Sequence, residues 1–293
     1  MSVNSYIRPA AIPEALEALR AGQGRARLVA GATDLFLDME HGKKAPEQLV
    51  DIRFIPELRQ IQEEDGAVFI GAAVTHGELE KDPLIRQYFP ALAQGAATVG
   101  GPQIRSIGTI GGNVVNAQPA ADTAVPLFVF DAEALTVDVD GTERMVPIRS
   151  LYEGPGRSAL DSTRCLLKGF RLPTGIYPVS GFIRESKRKA LSLPTLNAAA
   201  ALRLEDGVIA AAALAAGPVA LTPLRLTDAE ALLFGNAPSP ELFHAAGAAA
   251  RAQAHPRDSL LRGGGEFRRE LLAALLEKLL ASLCACAAPE KEV

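Results

Sequence analysis

Alternation of apolar and polar positions predicts strands and helices in turn along the first part of the chain. Apolar runs predict strands over Arg27–Ala30 and Leu49–Ile52, with a glycine turn and a helix over Thr33–His41 between them. A helix over Ile12–Arg20 precedes this unit. The order strand, loop, helix, strand predicts that the two strands run parallel, since a crossover connection joins them.

The middle of the chain predicts several strands, two of them in a hairpin, and one interrupted helix. The predicted elements are a strand over Val68–Val74, a helix over Pro83–Thr98, a glycine-rich loop over Gly100–Asn113, a hairpin of Leu135–Asp140 with Arg144–Ile148, and a strand over Leu166–Leu172. Pro90 should break the helix, because proline lacks a backbone donor. Asp140-Gly141 favours a type I′ turn in the hairpin.

A change of composition over residues 173–178 marks a boundary, beyond which alanine and leucine dominate. Two strands are expected after it, Asn197–Leu204 and Val208–Ala216, joined by a turn at Asp206-Gly207. Helices follow, the first with a capping box of Thr227 and Glu230 and the second opening at Ser239-Pro240. The last helix carries an apolar stripe expected in the core or in a subunit contact. Its residues are Phe267, Leu271, Leu275, Leu279 and Leu283.

Composition and charge give no support to several classes of partner. The 293 residues are too many for one simple core, and a net charge of −4 gives no reason to expect nucleic acid or an anionic membrane. The longest apolar run, Val208–Leu221, is shorter than the roughly 20 residues of a membrane helix. The N-terminus lacks the basic and apolar regions of a signal peptide, so we expect a cytoplasmic protein without a membrane span.

The few cysteines and histidines limit the metal chemistry of the chain. An iron–sulfur cluster normally takes four thiolates, and the chain has three cysteines, so we expect neither a cluster nor a four-thiolate zinc site. The four histidines are scattered without ligand spacing and are expected to be structural or solvated.

Two glycine turns carry the candidate chemistry. In the first loop (Val29–Asp34), Gly31 allows a tight turn between strand and helix, where unpaired N–H groups attract phosphate and Asp34 is expected to cap backbone N–H groups. In the second loop (Gly100–Asn113), Gly111 and Gly112 permit close backbone approach, while Thr109 and Asn113 offer side-chain donors. Asp122, further on, could accept hydrogen bonds from sugar or ribityl hydroxyls. Each turn alone is also compatible with an ordinary structural turn.

Other nucleotide or catalytic signatures are weak or missing in the sequence. Residues 154–159 match G-x-G-x-x-A, but Pro155 removes a donor, and we expect no strand before the match and no helix after it. The G-x-x-x-x-G-K-[ST] pattern does not occur, and neither serine nor cysteine is paired with histidine in a recognisable arrangement.

The chain resembles the FAD-binding medium subunits of molybdenum hydroxylases, the family of carbon monoxide dehydrogenase and bacterial xanthine dehydrogenase. The resemblance covers nearly the whole chain and rests on the segments V-A-G-A-T-D-L-F-L-D-M-E, I-G-A-A-V-T-H-G-E-L-E, I-R-S-I-G-T-I-G-G-N-V-V-N-A-Q-P-A-A-D-T-A and R-K-A-L-S-L-P-T-L-N. It implies an α+β protein. Residues 1–175 would form an FAD-binding domain of the vanillyl-alcohol-oxidase (PCMH) type, with subdomains of about 1–54 and 55–175. Residues 178–287 would form a small α/β C-terminal domain with an antiparallel sheet.

The resemblance also implies which residues bind FAD. The pyrophosphate would be wrapped by Leu28, Val29, Ala30, Gly31, Ala32, Thr33, Asp34 and Leu35. The second phosphate loop would be Thr109, Gly111, Gly112 and Asn113, with Val99, Gly100 and Gly101 near it. Asp122 would bind a polar group of FAD, Leu167 would pack near the ring system, and Lys187 would lie near the flavin.

Departures from the family pattern occur at two of its positions. Ala32 stands where many relatives have a second glycine, and we expect the loop to tolerate the added methyl group. Phe182 stands where relatives often have a tyrosine. The cysteine-rich insertion of the 4-hydroxybenzoyl-CoA reductases is not found in the sequence.

The implied function is electron transfer by non-covalently bound FAD, with no catalytic residue and no metal on this chain. Electrons would come from [2Fe-2S] clusters on a small partner subunit and, before that, from a molybdenum cofactor on a large one, in a dimer of heterotrimers. NAD⁺, a quinone or oxygen would accept them. A stand-alone FAD-dependent oxidoreductase and a flavin-free scaffold subunit are the alternatives.

Overall fold

The structure is a computed structural model that describes residues 3–188, 191–259 and 262–287. The helices are α1 (Ile12–Gly22), α2 (Leu35–Glu40), α3 (His76–Leu79), α4 (Pro83–Tyr88), α5 (Pro90–Ala97), α6 (Pro102–Arg105), α7 (Ile110–Val115), α8 (Ala124–Val129), α9 (Thr227–Leu233), α10 (Pro240–Gln253) and α11 (Gly265–Ala287). The strands are β1 (Ser5–Ile7), β2 (Ala26–Val29), β3 (Gln48–Asp51), β4 (Ile61–Glu64), β5 (Ala67–Gly71), β6 (Glu133–Asp138), β7 (Glu143–Pro147), β8 (Tyr152–Gly154), β9 (Arg157–Ser158), β10 (Cys165–Pro173), β11 (Val179–Ser186), β12 (Pro194–Glu205), β13 (Val208–Gly217) and β14 (Leu224–Arg225). Short 3₁₀ helices span Pro56–Arg59 and Ile148–Leu151.

The described residues divide into two compact units, each assembled from several segments. Unit 1 contains residues 3–79, 99–118 and 131–173, and unit 2 contains the other described residues. The domain boundary near residue 175 stays a prediction.

A parallel sheet begins unit 1. Its strand order is β1-β3-β2, and β2 pairs with β3 in parallel, so the predicted strand–loop–helix–strand unit is confirmed. Helix α1 buries Ala15, Leu16 and Leu19 together with Val50 of β3. This sheet fixes the end of β2, where the first glycine loop starts.

An antiparallel sheet of strand order β4-β5-β10-β6-β7 completes the framework of unit 1. The predicted hairpin is confirmed as β6 and β7, but the predicted type I′ turn is wrong. Gly141 has a φ of +87°, whereas Asp140 lies outside the left-handed region that this turn needs at both central residues. The reason is length, because β6 ends at Asp138 and β7 begins at Glu143, which leaves more than a two-residue loop.

Unit 2 contains an antiparallel sheet of order β11-β12-β13-β14. The predicted strands around Asp206-Gly207 are confirmed as β12 and β13. Strand β12 is buried from Pro194 to Leu202, since α5 and α8 as well as α11 pack against it. A strand covered on both faces leaves little room for side chains, which accounts for its alanine run.

Helix boundaries in unit 2 follow the local signals with one exception. Pro90 separates α4 from α5 as predicted, and the Ser239 hydroxyl accepts a hydrogen bond from Leu242 N at 3.1 Å at the start of α10. The predicted capping box is wrong, because the N-cap of α9 is Leu226 and it makes no side-chain cap bond. Glu230 instead accepts bonds from Leu214 N at 2.7 Å and Arg225 Nε at 2.8 Å, so tertiary partners take the carboxylate.

The stripe on α11 is only partly in the core. Leu275, Leu279 and Leu283 are buried, but Phe267 is 57% exposed. A four-residue spacing drifts around a helix of 3.6 residues per turn, so residues at the two ends of the stripe face different directions. Among the described helices, none is long and apolar enough to cross a membrane.

Candidate functional site: a cavity between the two glycine loops

A cavity of about 170 Å³ in unit 1 is lined by both glycine loops. The first loop and its flanks contribute every residue from Arg27 to Leu35, and the second loop contributes Ile104, Gly108, Thr109, Gly112 and Asn113. Lys44, His76, Val99, Val115, Asn116 and Ser162 complete the lining. The fold therefore brings together two segments that lie far apart in the sequence.

Gly31 is the point at which the two loops meet. A Cβ atom built on Gly31 would lie 2.2 Å from the backbone oxygen of Ile107 and 2.8 Å from Gly108 Cα. Only glycine allows this approach of one backbone to another. The two loops are thus held against each other by main-chain contact.

The first loop presents unpaired backbone donors to the cavity. Among the described residues, the N–H groups of Gly31, Ala32, Thr33, Asp34 and Leu35 have no hydrogen-bond partner within the protein. All of these residues line the cavity. Successive backbone N–H groups around a concave surface form an anion-binding nest, and a helix as short as α2 adds little to it.

Asp34 does not cap the helix as we had predicted. It stands at the N-cap of α2 in an α-helical conformation without a side-chain cap bond, and its carboxylate accepts from the Thr33 hydroxyl at 3.2 Å. The N–H groups that a capping carboxylate would occupy therefore stay available to a ligand.

Ala32 adopts the left-handed backbone conformation, with a φ of +59°. This conformation costs a residue with a Cβ atom roughly 1–2 kcal/mol. The resemblance implies that many relatives have glycine at this position. The left-handed backbone conformation is the physical reason why glycine is favoured there. The loop has the predicted shape in spite of the alanine, but at a cost in stability.

Ala32→Gly should stabilise the flavin-free protein. We expect the free energy of unfolding to rise by roughly 0.5–1 kcal/mol, since relief of strain exceeds the added entropy of the unfolded chain. Urea unfolding followed by circular dichroism measures it. Ala30→Gly is the matched control, because Ala30 lies outside the left-handed region and should only lose stability. Equal losses in both variants would contradict the assignment of strain to Ala32.

From Ile110 to Gly112, the second loop offers side chains rather than backbone donors. Contrary to the predicted continuous loop, it contains α6 and the start of α7. The N–H groups of Ile110 and Gly111 donate to Val74 O and Ala72 O, both at 2.9 Å, and Gly112 N donates to Thr109 Oγ1 at 3.0 Å. The Thr109 hydroxyl keeps its hydrogen for a ligand. A Cβ atom on Gly112 would meet only Thr109 Oγ1, so Gly112 leaves open space beside the cavity.

Two cations favour an anion in the cavity. Arg27 is partly buried, and this burial lowers the pKa of its guanidinium while Asp161 and Asp38 raise it. An arginine stays charged in spite of such a shift. Lys44 also lines the cavity, and its Nζ atom lies 3.1 Å from Asp38 Oδ2. A pyrophosphate group matches this combination of backbone donors and positive charge.

His76 belongs to the cavity, although the sequence pattern did not single it out. It lines the cavity but is only 2% exposed, and burial, aided by Arg105, lowers its pKa to about 4. Its Nδ1 atom is buried without a protein partner in the described structure. The available signal was its place two residues after the predicted apolar strand Val68–Val74, within the I-G-A-A-V-T-H-G-E-L-E segment.

Several predicted site residues lie outside the cavity lining. Gly111 packs on Ala72, and Leu167 is buried in β10. Gly100 and Gly101 precede α6 without lining the cavity that the described residues form. Their predicted roles stay predictions.

The remaining predicted residues, Asp122 and Lys187, belong to unit 2. Lys187 is exposed. Asp122 is buried and accepts from Asn197 Nδ2 at 2.6 Å, with Arg184 Nη1 at 3.6 Å. Burial raises the pKa of Asp122, whereas Arg184, Asn197 and Thr98 lower it. A buried carboxylate with two polar neighbours is a candidate acceptor for hydroxyl groups.

Two protein-family models together match most of the chain. A family model described as the FAD binding domain in molybdopterin dehydrogenase matches residues 1–175. A second, the CO dehydrogenase flavoprotein C-terminal domain, matches residues 182–283.

Individual relatives match over almost the full chain. The chain is 33% identical over 287 residues to a xanthine dehydrogenase FAD-binding subunit of Escherichia coli, which covers 97% of each protein. It is 29% identical over 275 residues to the carbon monoxide dehydrogenase medium chain of Hydrogenophaga pseudoflava, covering 94% and 95%.

Solved structures show the same fold. Reconstituted carbon monoxide dehydrogenase from Oligotropha carboxidovorans superposes with a TM-score of 0.90 at 28% identity, over 97% of this chain and 98% of that one. Quinoline 2-oxidoreductase from Pseudomonas putida 86 gives a TM-score of 0.89 at 25% identity. The predicted α+β fold class and the motif resemblance are thereby confirmed. The chain belongs to the family of FAD-binding subunits of molybdenum-containing hydroxylases.

Proposed function

We propose that this chain is the FAD-binding electron-transfer subunit of a multi-subunit molybdenum hydroxylase. The observation that carries the proposal is the row of unpaired backbone N–H groups from Gly31 to Leu35 in the cavity between the glycine loops. Such a row fits the pyrophosphate of a dinucleotide cofactor.

The residues that line the cavity fit the pyrophosphate of FAD in donor chemistry. Arg27 and Lys44 supply positive charge, Thr109 supplies a hydroxyl donor, and Gly112 leaves open space on the cavity side. The proposed FAD-binding residues are Leu28–Leu35, Val99, Gly100, Gly101, Thr109, Gly111, Gly112, Asn113, Asp122, Leu167 and Lys187.

The protein's part in this function is to bind and orient the cofactor. When bound, FAD supplies redox chemistry suited to passing electrons from [2Fe-2S] clusters to NAD⁺, a quinone or oxygen. No catalytic acid or base is required of this chain for that role.

The partners follow from the same proposal. They are a large subunit with the molybdenum cofactor and a small subunit with [2Fe-2S] clusters, in a dimer of heterotrimers in the cytoplasm. Three cysteines are too few for a four-thiolate cluster here, which supports an electron source on another chain.

The first test is the visible absorption spectrum of the protein purified with whatever accompanies it, followed by acid release of the chromophore. Released FAD together with iron–sulfur absorbance from accompanying chains is the expected result. FAD without partner chains, together with substrate turnover, would favour a stand-alone oxidoreductase. A protein that neither carries nor rebinds FAD would favour a flavin-free scaffold.

A further inference from the structure

His76 is fixed against the second loop by its backbone. Its N–H group donates to Gly108 O at 3.0 Å, and Thr75 forms an isolated bridge with Thr109. A capping box holds α3 in place, because Glu78 N donates to Thr75 Oγ1 at 3.2 Å and Thr75 N donates to Glu78 Oε2 at 2.8 Å. The imidazole therefore has a defined position beside the loop.

The Cδ2–Nε2 edge of the imidazole ring faces Gly108 of the second loop. A Cβ atom built on Gly108 would lie 3.4 Å from His76 Cδ2 and 3.8 Å from Nε2. Gly108 and His76 both line the cavity, whereas His76 Nδ1 is buried and has no protein partner. The two ring nitrogens thus differ in their surroundings.

These surroundings select one tautomer of the neutral ring. A buried N–H group without a partner is rarer in proteins than an unpaired acceptor, so the proton belongs on Nε2 and the lone pair on Nδ1. Burial, aided by the charge of Arg105, keeps the imidazole uncharged at neutral pH. Neutral His76 then holds one N–H donor on the edge that lies beside Gly108.

A side-chain donor at this position would add to the groups that can bind an anion in the cavity. The N–H groups of Ile110, Gly111 and Gly112 are all taken up by partners within the protein. These three N–H groups are therefore not available to an anion, which makes a neighbouring side-chain donor valuable.

We infer that the Nε2–H group of His76 donates a hydrogen bond to the pyrophosphate of FAD, alongside the first-loop N–H groups and the Thr109 hydroxyl. This inference rests on the proposed function, since it names a ligand of the same cofactor. The competing interpretation is that His76 only fills space behind the loop.

Three substitutions separate the two interpretations. Glutamine can place an amide N–H near the position of Nε2, whereas asparagine is too short and leucine has no donor. The protein, with any chains that accompany it, is stripped of flavin and titrated with FAD. The unfolding temperature of each flavin-free variant and the ³¹P NMR spectrum of bound FAD are recorded in parallel.

His76→Asn and His76→Leu should weaken FAD binding roughly 10- to 100-fold, the usual effect of losing a hydrogen bond to a charged group. His76→Gln should stay within about threefold of the parent protein. The ³¹P resonances should shift in His76→Asn and return towards the parent positions in His76→Gln.

Two results would overturn the inference while leaving the proposed function intact. One is parental FAD affinity and ³¹P shifts in His76→Asn. The other is a loss of affinity that is equal in the glutamine and asparagine variants and parallels their unfolding temperatures. If the parent protein itself binds no FAD, the proposed function fails and the inference fails with it.

Discussion

Replacing Gly112 with valine should release the flavin and leave the fold of the chain intact. Gly112 lines the cavity, and a Cβ atom there would meet only Thr109 Oγ1, at 3.0 Å. Valine would therefore extend its methyl groups into the cavity proposed to bind the pyrophosphate. We expect FAD affinity to fall at least about 100-fold, or about 2.7 kcal/mol. Flavin content after purification and FAD titration of the stripped protein measure the change.

The neighbouring glycine provides a matched control. A Cβ atom on Gly111 would lie 2.6 Å from both Ala72 Cβ and Ala72 O, so Gly111→Ala should destabilise the fold itself. Gly112→Val should keep a near-parental unfolding temperature without flavin, because valine is no worse than glycine in a helix. A fully flavinated Gly112→Val protein would exclude the second loop from the cofactor site.

The stability of the flavin-free protein should rise with pH through the titration of His76. The pKa of His76 is lowered to about 4, against an ordinary value of 6.5. Between these values the unfolded chain binds a proton that the native protein does not, so the free energy of unfolding increases as pH rises and is fully gained above about 6.5. The shift corresponds to about 3 kcal/mol as an upper value. Urea unfolding at intervals from pH 4 to 7 tests it.

His76→Gln isolates this contribution from those of the acidic residues. The parent protein should gain more stability over the same pH range than the glutamine variant, by roughly 2–3 kcal/mol. Identical pH profiles would mean that the native protein protonates His76 as readily as the unfolded chain does. The pKa of His76 in the native protein would then be close to its ordinary value.

Local signals predicted the elements that depend on neighbours in sequence. The strand, glycine turn and helix around Gly31 could be read from a few adjacent residues, as could the break at Pro90. The capping box of Thr227 and Glu230 failed because the Glu230 carboxylate binds Arg225 and Leu214 N. The same local pattern at Thr75 and Glu78 does form a capping box, at a position that we had not predicted.

The G-x-G-x-x-A match shows that a short motif does not determine the secondary structure in which it lies. We had expected no strand before it, and this was wrong, since β8 ends at Gly154. That strand pairs in antiparallel fashion with β9, and the match spans the hairpin rather than a strand-to-helix turn. The conclusion that it is no dinucleotide fingerprint therefore stands for a different structural reason.

By itself, the sequence determined the family, the two glycine loops and the order of the elements around them, because each depends on residues close together in the chain. Only the tertiary structure decided which backbone donors of the two loops are occupied and which stay unpaired. The N–H groups of Ile110 and Gly111 are taken by Val74 and Ala72, whereas those from Gly31 to Leu35 remain unpaired. It also placed His76 in the cavity. Hydrogen-bond pairing and burial depend on partners distant in sequence, which local patterns do not specify.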